Sequence, residues 1–389
     1  MAVLRKEFIN RQFTSKNLTR IKPRFSALSI LRQRLAESRW ALPGEGDMKA
    51  LVYEGVGQKA WKEKEQPAIE QPTDAIVRVT HTTICGTDLH ILKGDVPAVT
   101  PGRTLGHEGI GVIEEVGAAV SGLAVGDQVL ISCITSCGHC DYCKQGMYAH
   151  CRDGGWILGH KIDGTQAEVV RIPHAANSLY RLPPGLEPAA ALMLSDILPT
   201  GHEIGALNGE VSLGDTVAIV GSGPIGLAAL LTARFYSPGR IIMVDPDENR
   251  LAVARRLGAT DTVSADPVET VMSLTDGEGV DVAMEAVGIP ETFDTCQRIL
   301  RPGGRLANIG VHGRSVELRL EELWIKNVTV RTGLVNTNTI PVLMRFLETG
   351  GIDAESLITH RFALDEIEKA YEVFSRAASE KAIKMLLTA

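Results

Sequence analysis

The chain lacks an apolar run of the roughly 18–20 residues that would span a bilayer. The nearest stretch, Val217 to Ala233, is broken by Gly221-Ser222-Gly223-Pro224. It also lacks a basic excess, since 40 Lys and Arg stand against 47 Asp and Glu for a formal charge of −7. Without that excess there is little to neutralise a phosphate backbone, so neither a membrane nor nucleic acid is an expected partner. Seven cysteines in 389 residues are too few for a small disulfide scaffold, and the 39 glycines follow no triplet period, which excludes collagen. Nor is the chain poor in apolar residues: at 44% hydrophobic it can collapse, which excludes a disordered polymer. At roughly 100–200 residues per domain, two or three domains are expected.

The charge is unevenly placed. Residues 1–47 hold ten Lys and Arg against four Asp and Glu, a balance of +6 that leaves −13 for the rest. With several serines and few acids, this extension suits a transit peptide, a disordered tail, or translation from a start upstream of Met48. The 7–15-residue apolar stretch of a secretory signal is missing. The expected location is cytoplasmic, or the mitochondrial matrix if residues 1–47 are a transit peptide.

From Met48 the pattern changes. Lys49–Tyr53, Ala75–Val79, Ile110–Val120, Gln128–Ile131 and Ala167–Val170 are short β-branched or alternating runs between Gly, Pro and Asp turns. They indicate a twisted, largely antiparallel sheet or barrel. After about Thr200 strands and helices alternate: Thr216–Val220, Ile241–Val244, Asp281–Glu285 and Gly304–Ile309 as strands, Ile225–Phe235, Glu248–Leu257 and Glu291–Leu300 as helices. That alternation predicts an α/β doubly wound parallel sheet. The last stretch, with helices near Pro341–Leu347 and Leu364–Ala377 and a strand near Lys384–Leu387, is assigned back to the first domain. The expected division is 48–200 with 338–389 as one domain and 201–337 as the other.

Gly221-Ser222-Gly223-Pro224-Ile225-Gly226 follows a strand and opens a helix. In that setting Gly221 makes the tight turn, Gly223 admits a pyrophosphate to the backbone, and Gly226 permits close packing. The N–H groups at the helix start, around Pro224 and Ile225, face the phosphates. Asp245 ends the next strand, where a carboxylate would accept from the adenosine ribose hydroxyls and repel a 2′-phosphate, so NAD is expected rather than NADP. Arg250 is a further ribose candidate.

Cys137, Cys140, Cys143 and Cys151 form C-x2-C-x2-C-x7-C. Four thiolates within 15 residues can close a tetrahedron around zinc and leave no open position, as a structural site requires. Cys133 is read as a buried thiol in a strand, and Cys296 as packed in a nucleotide-domain helix. Cys85 in Cys85-Gly86-Thr87-Asp88-Leu89-His90 and His107 in Gly106-His107-Glu108-Gly109 are two of the groups a catalytic zinc needs, with one anion more and one position open.

These strings, with Gly126-Asp127-Gln128-Val129, the four-cysteine lobe and the nucleotide fingerprint, resemble the zinc-dependent medium-chain alcohol dehydrogenases from Met48 to the C-terminus. The resemblance implies a Rossmann domain plus a β-rich GroES-like catalytic domain, NAD, and two Zn2+ per chain, one catalytic and one structural. It implies reversible oxidation of small primary or secondary alcohols to aldehydes or ketones, with hydride transfer to NAD. A polyol, threonine or formaldehyde substrate is the alternative. Cys85, His107 and Asp196 would ligate the catalytic zinc, with Glu108 binding it or standing just behind. Asp196 stands where some relatives carry a thiolate. Asp88 would orient His107, while Thr87 and His90 would relay the alcohol proton. Val287, Gly310, Val311 and Thr200 would line the nicotinamide. Gly86 replaces a basic residue that holds the pyrophosphate in some relatives, which leaves Lys381 and Lys384 as candidates for that contact. A homotetramer is expected, with a homodimer as the alternative.

Overall fold

The computed structural model describes residues 46–389; the N-terminal extension up to residue 45 lies outside the described residues. The first lobe opens with a hairpin, β1 (Asp47–Gly55) and β2 (Gln58–Glu65). Then come β3 (Ala75–Thr82), α1 (Gly86–Lys93), β4 (Gly109–Val116), β5 (Gln128–Ile131), β6 (Val169–Ile172) and β7 (Leu179–Arg181). The second lobe holds β8 (Thr216–Val220), α2 (Pro224–Ala233), β9 (Arg240–Val244), α3 (Glu248–Arg256), β10 (Asp261–Val263), α4 (Pro267–Leu274), β11 (Val280–Glu285), α5 (Pro290–Arg298), β12 (Leu300–Asn308) and β13 (Thr329–Thr332). The chain closes with α6 (Ile340–Glu348), β14 (Ile358–Ala363), α7 (Ile367–Ser375) and β15 (Lys384–Thr388).

In the second lobe the six strands are parallel in the order β10-β9-β8-β11-β12-β13. Helices cover both faces, so β8 reads as a continuous apolar run with Val217 to Val220 buried. The order reverses between β8 and β11, which places the ligand crevice at the carboxyl ends of those two strands. The first-lobe sheet runs β14-β15-β3-β4-β5-β7, with β6 also pairing β3. Because β15 pairs antiparallel with β3, the last strands of the chain lie in the first-lobe sheet.

Strand edges differ from the sequence reading where turns intervene. β4 stops at Val116 because Gly117 turns so tightly that a Cβ there would lie 2.3 Å from the Pro72 carbonyl oxygen. β6 starts at Val169 rather than Ala167, which makes only an isolated bridge to Ala50. β2 and β13 give little sequence signal: β2 is half-exposed QKAWKEKE, and β13 is an edge strand exposed along its whole length.

One apolar cluster joins the lobes, running from Ile110 and Leu130 through Leu194, Leu198 and Ile204 to Ile219 and Met284. Its spine is a helical stretch that turns from α geometry at Ile197–Thr200 into a wider π turn at Gly201–Leu207. On that spine the buried Glu203 accepts from the backbone N–H groups of Asn336 (2.8 Å), Thr337 (3.1 Å) and Thr339 (3.0 Å). The carboxylate thereby fastens the segment that returns from β13 to α6, where no sequence motif marked it.

Candidate active site and cofactor crevice

Three distant segments meet at the lobe joint. Cys85 caps the N-terminus of α1. His107 and Glu108 lie in the turn before β4, and Asp196 caps the spine helix. Gly106 sets the first turn: at φ +90°, a Cβ would sit 2.6 Å from the Gln166 side chain and 2.8 Å from its backbone nitrogen. One ligating atom from each of Cys85, His107, Glu108 and Asp196 lies within 4.8 Å of every other. His107 Nε2 is 3.4 Å and Cys85 Sγ 3.7 Å from Asp196 Oδ2.

A thiolate, an imidazole and two carboxylates fit Zn2+ in number and type. Burial alone would raise the Asp196 pKa; the hydrogen bond and charge of His107, with the Thr200 hydroxyl and Lys384 charge, hold it down to about 2.

Lys384 overturns one expectation. It is buried at 1% exposure, and its Nζ donates to Glu108 Oε1 (2.7 Å) and Oε2 (3.0 Å) and to the Ile84 carbonyl oxygen (3.3 Å). Enclosed behind the donor cluster, it cannot serve the pyrophosphate. With Zn2+ its charge would balance Cys85, Glu108 and Asp196 to zero, the favourable condition for burying charges. Lys381, by contrast, is exposed, at a left-handed helix end.

Cys133 is buried but lies just past β5 rather than in a strand, with its Sγ 3.7 Å from Asp196 Oδ1. Asp88 Oδ2 accepts from the Cys85 N–H (2.9 Å) and Gln166 Nε2 (3.0 Å). Asp88 Oδ1 has no hydrogen-bond partner among the described residues. Gln166 in turn accepts from the buried Tyr371 hydroxyl (2.8 Å). That chain reaches from the α1 cap to α7, and its two outer members, Gln166 and Tyr371, carry no motif.

Thr87 Oγ1 stands 3.7 Å from Cys85 Sγ, and His90, one turn further along α1, has Nδ1 2.8 Å from Asp95 Oδ2. Thr200 donates its hydroxyl to Asp196 Oδ1 (2.7 Å), so only its lone pairs could face a nicotinamide. Trp156, not singled out from sequence, presents its ring edge-on to His107 at 6.3 Å between centroids.

In the four-cysteine lobe, one sulfur from each of Cys137, Cys140, Cys143 and Cys151 lies within 4.8 Å of the others, and all are free thiols. Backbone N–H groups of Arg152 and Cys143 draw the Cys140 thiol down to about 6, whereas burial pushes Cys143 up to about 12. Amide donors aimed at sulfur favour the thiolate that metal binding needs.

At the cofactor crevice, a Cβ on Gly226 would fall 1.8 Å from the Gly221 carbonyl oxygen, so this turn admits glycine alone there. A Cβ on Gly223 would meet only Arg250 Nη1, at 4.0 Å, which leaves room for a pyrophosphate to approach the start of α2. Asp245 ends β9 buried, its oxygens accepting from the N–H groups of Ser222 (2.7 Å) and Asp247 (2.8 Å). It therefore ties the fingerprint turn to the next strand, and a ribose would bind its remaining lone pairs. Arg250 Nη1 lies 3.9 Å from Asp245 Oδ2. Val287 and Val311 stand exposed at the ends of β11 and β12.

Two family models match: the alcohol dehydrogenase GroES-like domain over residues 71–184, and the zinc-binding dehydrogenase domain over 224–349. An alcohol dehydrogenase of Cupriavidus necator is 37% identical over 356 residues, covering 84% of this chain and 95% of its own. The structure of zinc dependent alcohol dehydrogenase 2 from Streptococcus pneumonia, in its apo form, superposes with a TM-score of 0.84 at 56% identity, covering 88% of this chain and 98% of that one. An NADP-dependent isopropanol dehydrogenase of Entamoeba histolytica is 32% identical over 85% of this chain and 93% of its own.

Proposed function

We propose that this chain, which belongs to the zinc-binding medium-chain alcohol dehydrogenase family, oxidises small primary or secondary alcohols reversibly with NAD. The observation that carries the reading is the convergence of Cys85, His107, Glu108 and Asp196 in a chain whose parallel sheet reverses its order between β8 and β11. When bound, zinc supplies a Lewis acid that lowers the pKa of an alcohol oxygen, and the nicotinamide supplies the hydride acceptor.

The residues of the chain do the rest. Cys85, His107 and Asp196 hold the metal, while Glu108, turned to Lys384, leaves room for an outside oxygen. Thr87, beside the Cys85 sulfur, takes the substrate proton, and His90, half-exposed and held by Asp95, is its exit to water. Trp156 packs edge-on against His107 and would screen that side of the donor cluster from water. Asp245 supports NAD over NADP because a 2′-phosphate would meet its charge.

Cys137, Cys140, Cys143 and Cys151 hold the second, structural zinc. The same reading divides the chain into 48–200 with 338–389 and 201–337. The exposed edge strand β13, preceded by Trp324 (70% exposed) and Ile325 (69%), offers an unpaired ladder and apolar side chains that support a homo-oligomer, a homotetramer in this reading. No described helix is long and apolar enough to cross a membrane; a cytoplasmic location is the accompanying proposal.

The test is a panel of simple alcohols, polyols, threonine and formaldehyde, each with NAD and with NADP, following reduced cofactor, together with metal analysis. Turnover of a simple alcohol with NAD and two zinc ions per chain is expected. Turnover confined to a polyol, threonine or formaldehyde would replace the substrate class, and turnover with NADP alone would overturn the cofactor choice.

A further inference from the structure

Glu285 is a carboxylate that no step above employs. It ends β11, is wholly buried, and stands where the six-stranded sheet reverses its order. Its Oε1 accepts from the N–H of Val287 (3.0 Å), the N–H of Gly288 (2.9 Å) and the Thr292 hydroxyl (2.6 Å). Its Oε2 has no hydrogen-bond partner among the described residues and lies 3.4 Å from His312 Nε2. His312 Nε2 also faces Asn308 Oδ1 at 2.9 Å, and the Asn308 amide donates to the Gly310 carbonyl oxygen (3.0 Å).

The loops around this carboxylate touch with no room to spare. A Cβ on Gly310 would sit 2.3 Å from Glu285 Oε2 and 2.3 Å from the Gly288 nitrogen. A Cβ on Gly288 (φ +89°) would meet the Val311 carbonyl oxygen at 2.3 Å. A Cβ on Gly221, the first fingerprint glycine, would meet the Val287 side chain at 2.6 Å. One charged group therefore sits under the loops that end β11 and β12 and, through Val287, bears on the loop that ends β8. Ligands of such sheets bind at these carboxyl ends. A buried carboxylate that accepts three hydrogen bonds makes strong, charge-assisted contacts, and losing its charge weakens its hold on the donors.

We propose that Glu285, with His312 beside it, is the positioning residue for the nicotinamide half of the crevice. It fixes the 286–288 and 310–312 loops against Gly221 and thereby sets affinity for the nicotinamide end of the dinucleotide, leaving the adenosine end to the fingerprint turn and Asp245. The proposal rests on the dinucleotide reading above.

The test titrates the full-length protein, wild type and Glu285→Gln, with NADH and with ADP-ribose, which lacks the nicotinamide. In Glu285→Gln, NADH binding is expected to weaken about tenfold while ADP-ribose binding stays within about twofold. A general loss of structure would weaken both ligands together, and that result, or no change in either, overturns the proposal. Wild-type protein that binds neither ligand would overturn the dinucleotide reading and the proposal with it. If Glu285→Gln does not fold, Thr292→Val removes one donor from the half-exposed side, and the NADH to ADP-ribose affinity ratio is expected to shift about threefold in the same direction.

Discussion

The two donor clusters of this chain are built in opposite ways. Cys137, Cys140, Cys143 and Cys151 come from 15 consecutive residues, and only two of the four are buried. Cys85, His107, Glu108 and Asp196 come from three segments up to 111 residues apart and meet where a shared apolar core joins the lobes. The local cluster needs little of the fold and offers only sulfur, which suits a metal that never exchanges ligands. The distant cluster needs the entire fold. In return it gains mixed donors and a buried counter-charge in Lys384. Locality thus separates a site that stabilises from a site that reacts.

That contrast can be broken by experiment. The largest effect is expected from Cys85→Ser, which should cut kcat/KM for alcohols by about 10³-fold or more, equivalent to roughly 4 kcal/mol. Its thermal melting should stay near wild type; a variant that keeps activity would dissolve the distinction. Next comes Lys384→Met, which leaves Glu108 charged and unpaired in the interior. Chemical denaturation should show a loss of about 3–5 kcal/mol, with Lys384→Arg recovering part of it.

Cys140→Ser should act on stability first. One zinc should be lost, the melting temperature should drop by several degrees for a loss of about 2–3 kcal/mol, and kcat should change little below the transition. Metal uptake by the metal-free lobe should also weaken as pH falls below about 6, where the Cys140 thiolate, favoured by the Arg152 and Cys143 amides, takes up its proton.

The smallest effect concerns the joint. His202 lies on the spine, with Nε2 2.8 Å from the Tyr236 hydroxyl, and burial depresses its pKa to about 4. Unfolded, it would protonate near its ordinary 6.5, so the unfolded state binds more protons between those values. Stability should therefore fall as pH drops from about 6.5 to 4, by an amount on the order of 2 kcal/mol. His202→Phe should flatten that portion of the pH profile.

How much could be read from the sequence follows the same division. The fingerprint, the four cysteines and the buried parallel strands are local patterns, and each lies where its spacing or periodicity placed it. Cys85 and His107 stand out by residue type as zinc donors, but Asp196 and the meeting of all three could be named only through resemblance, because nothing in a linear pattern shows that residues 85, 107 and 196 meet. Lys384 illustrates what was out of reach. A lysine near the C-terminus reads as a solvated charge or a phosphate contact, and only the pairing of β15 with β3 buries it against Glu108. Glu203 and Glu285 were likewise invisible as staples, since most of their partners are backbone N–H groups that carry no residue identity. Exposed or polar strands such as β2 and β13 escaped because pairing, not apolar patterning, makes them strands.

The most direct measurement is the zinc content of purified wild-type protein and Asp196→Ala, taken alongside NADH binding. Two zinc ions falling to one, with NADH still bound and the fold intact, is the expected result. Two ions retained in Asp196→Ala, or only one in the wild type, would contradict the convergence of Cys85, His107 and Asp196 on a single metal.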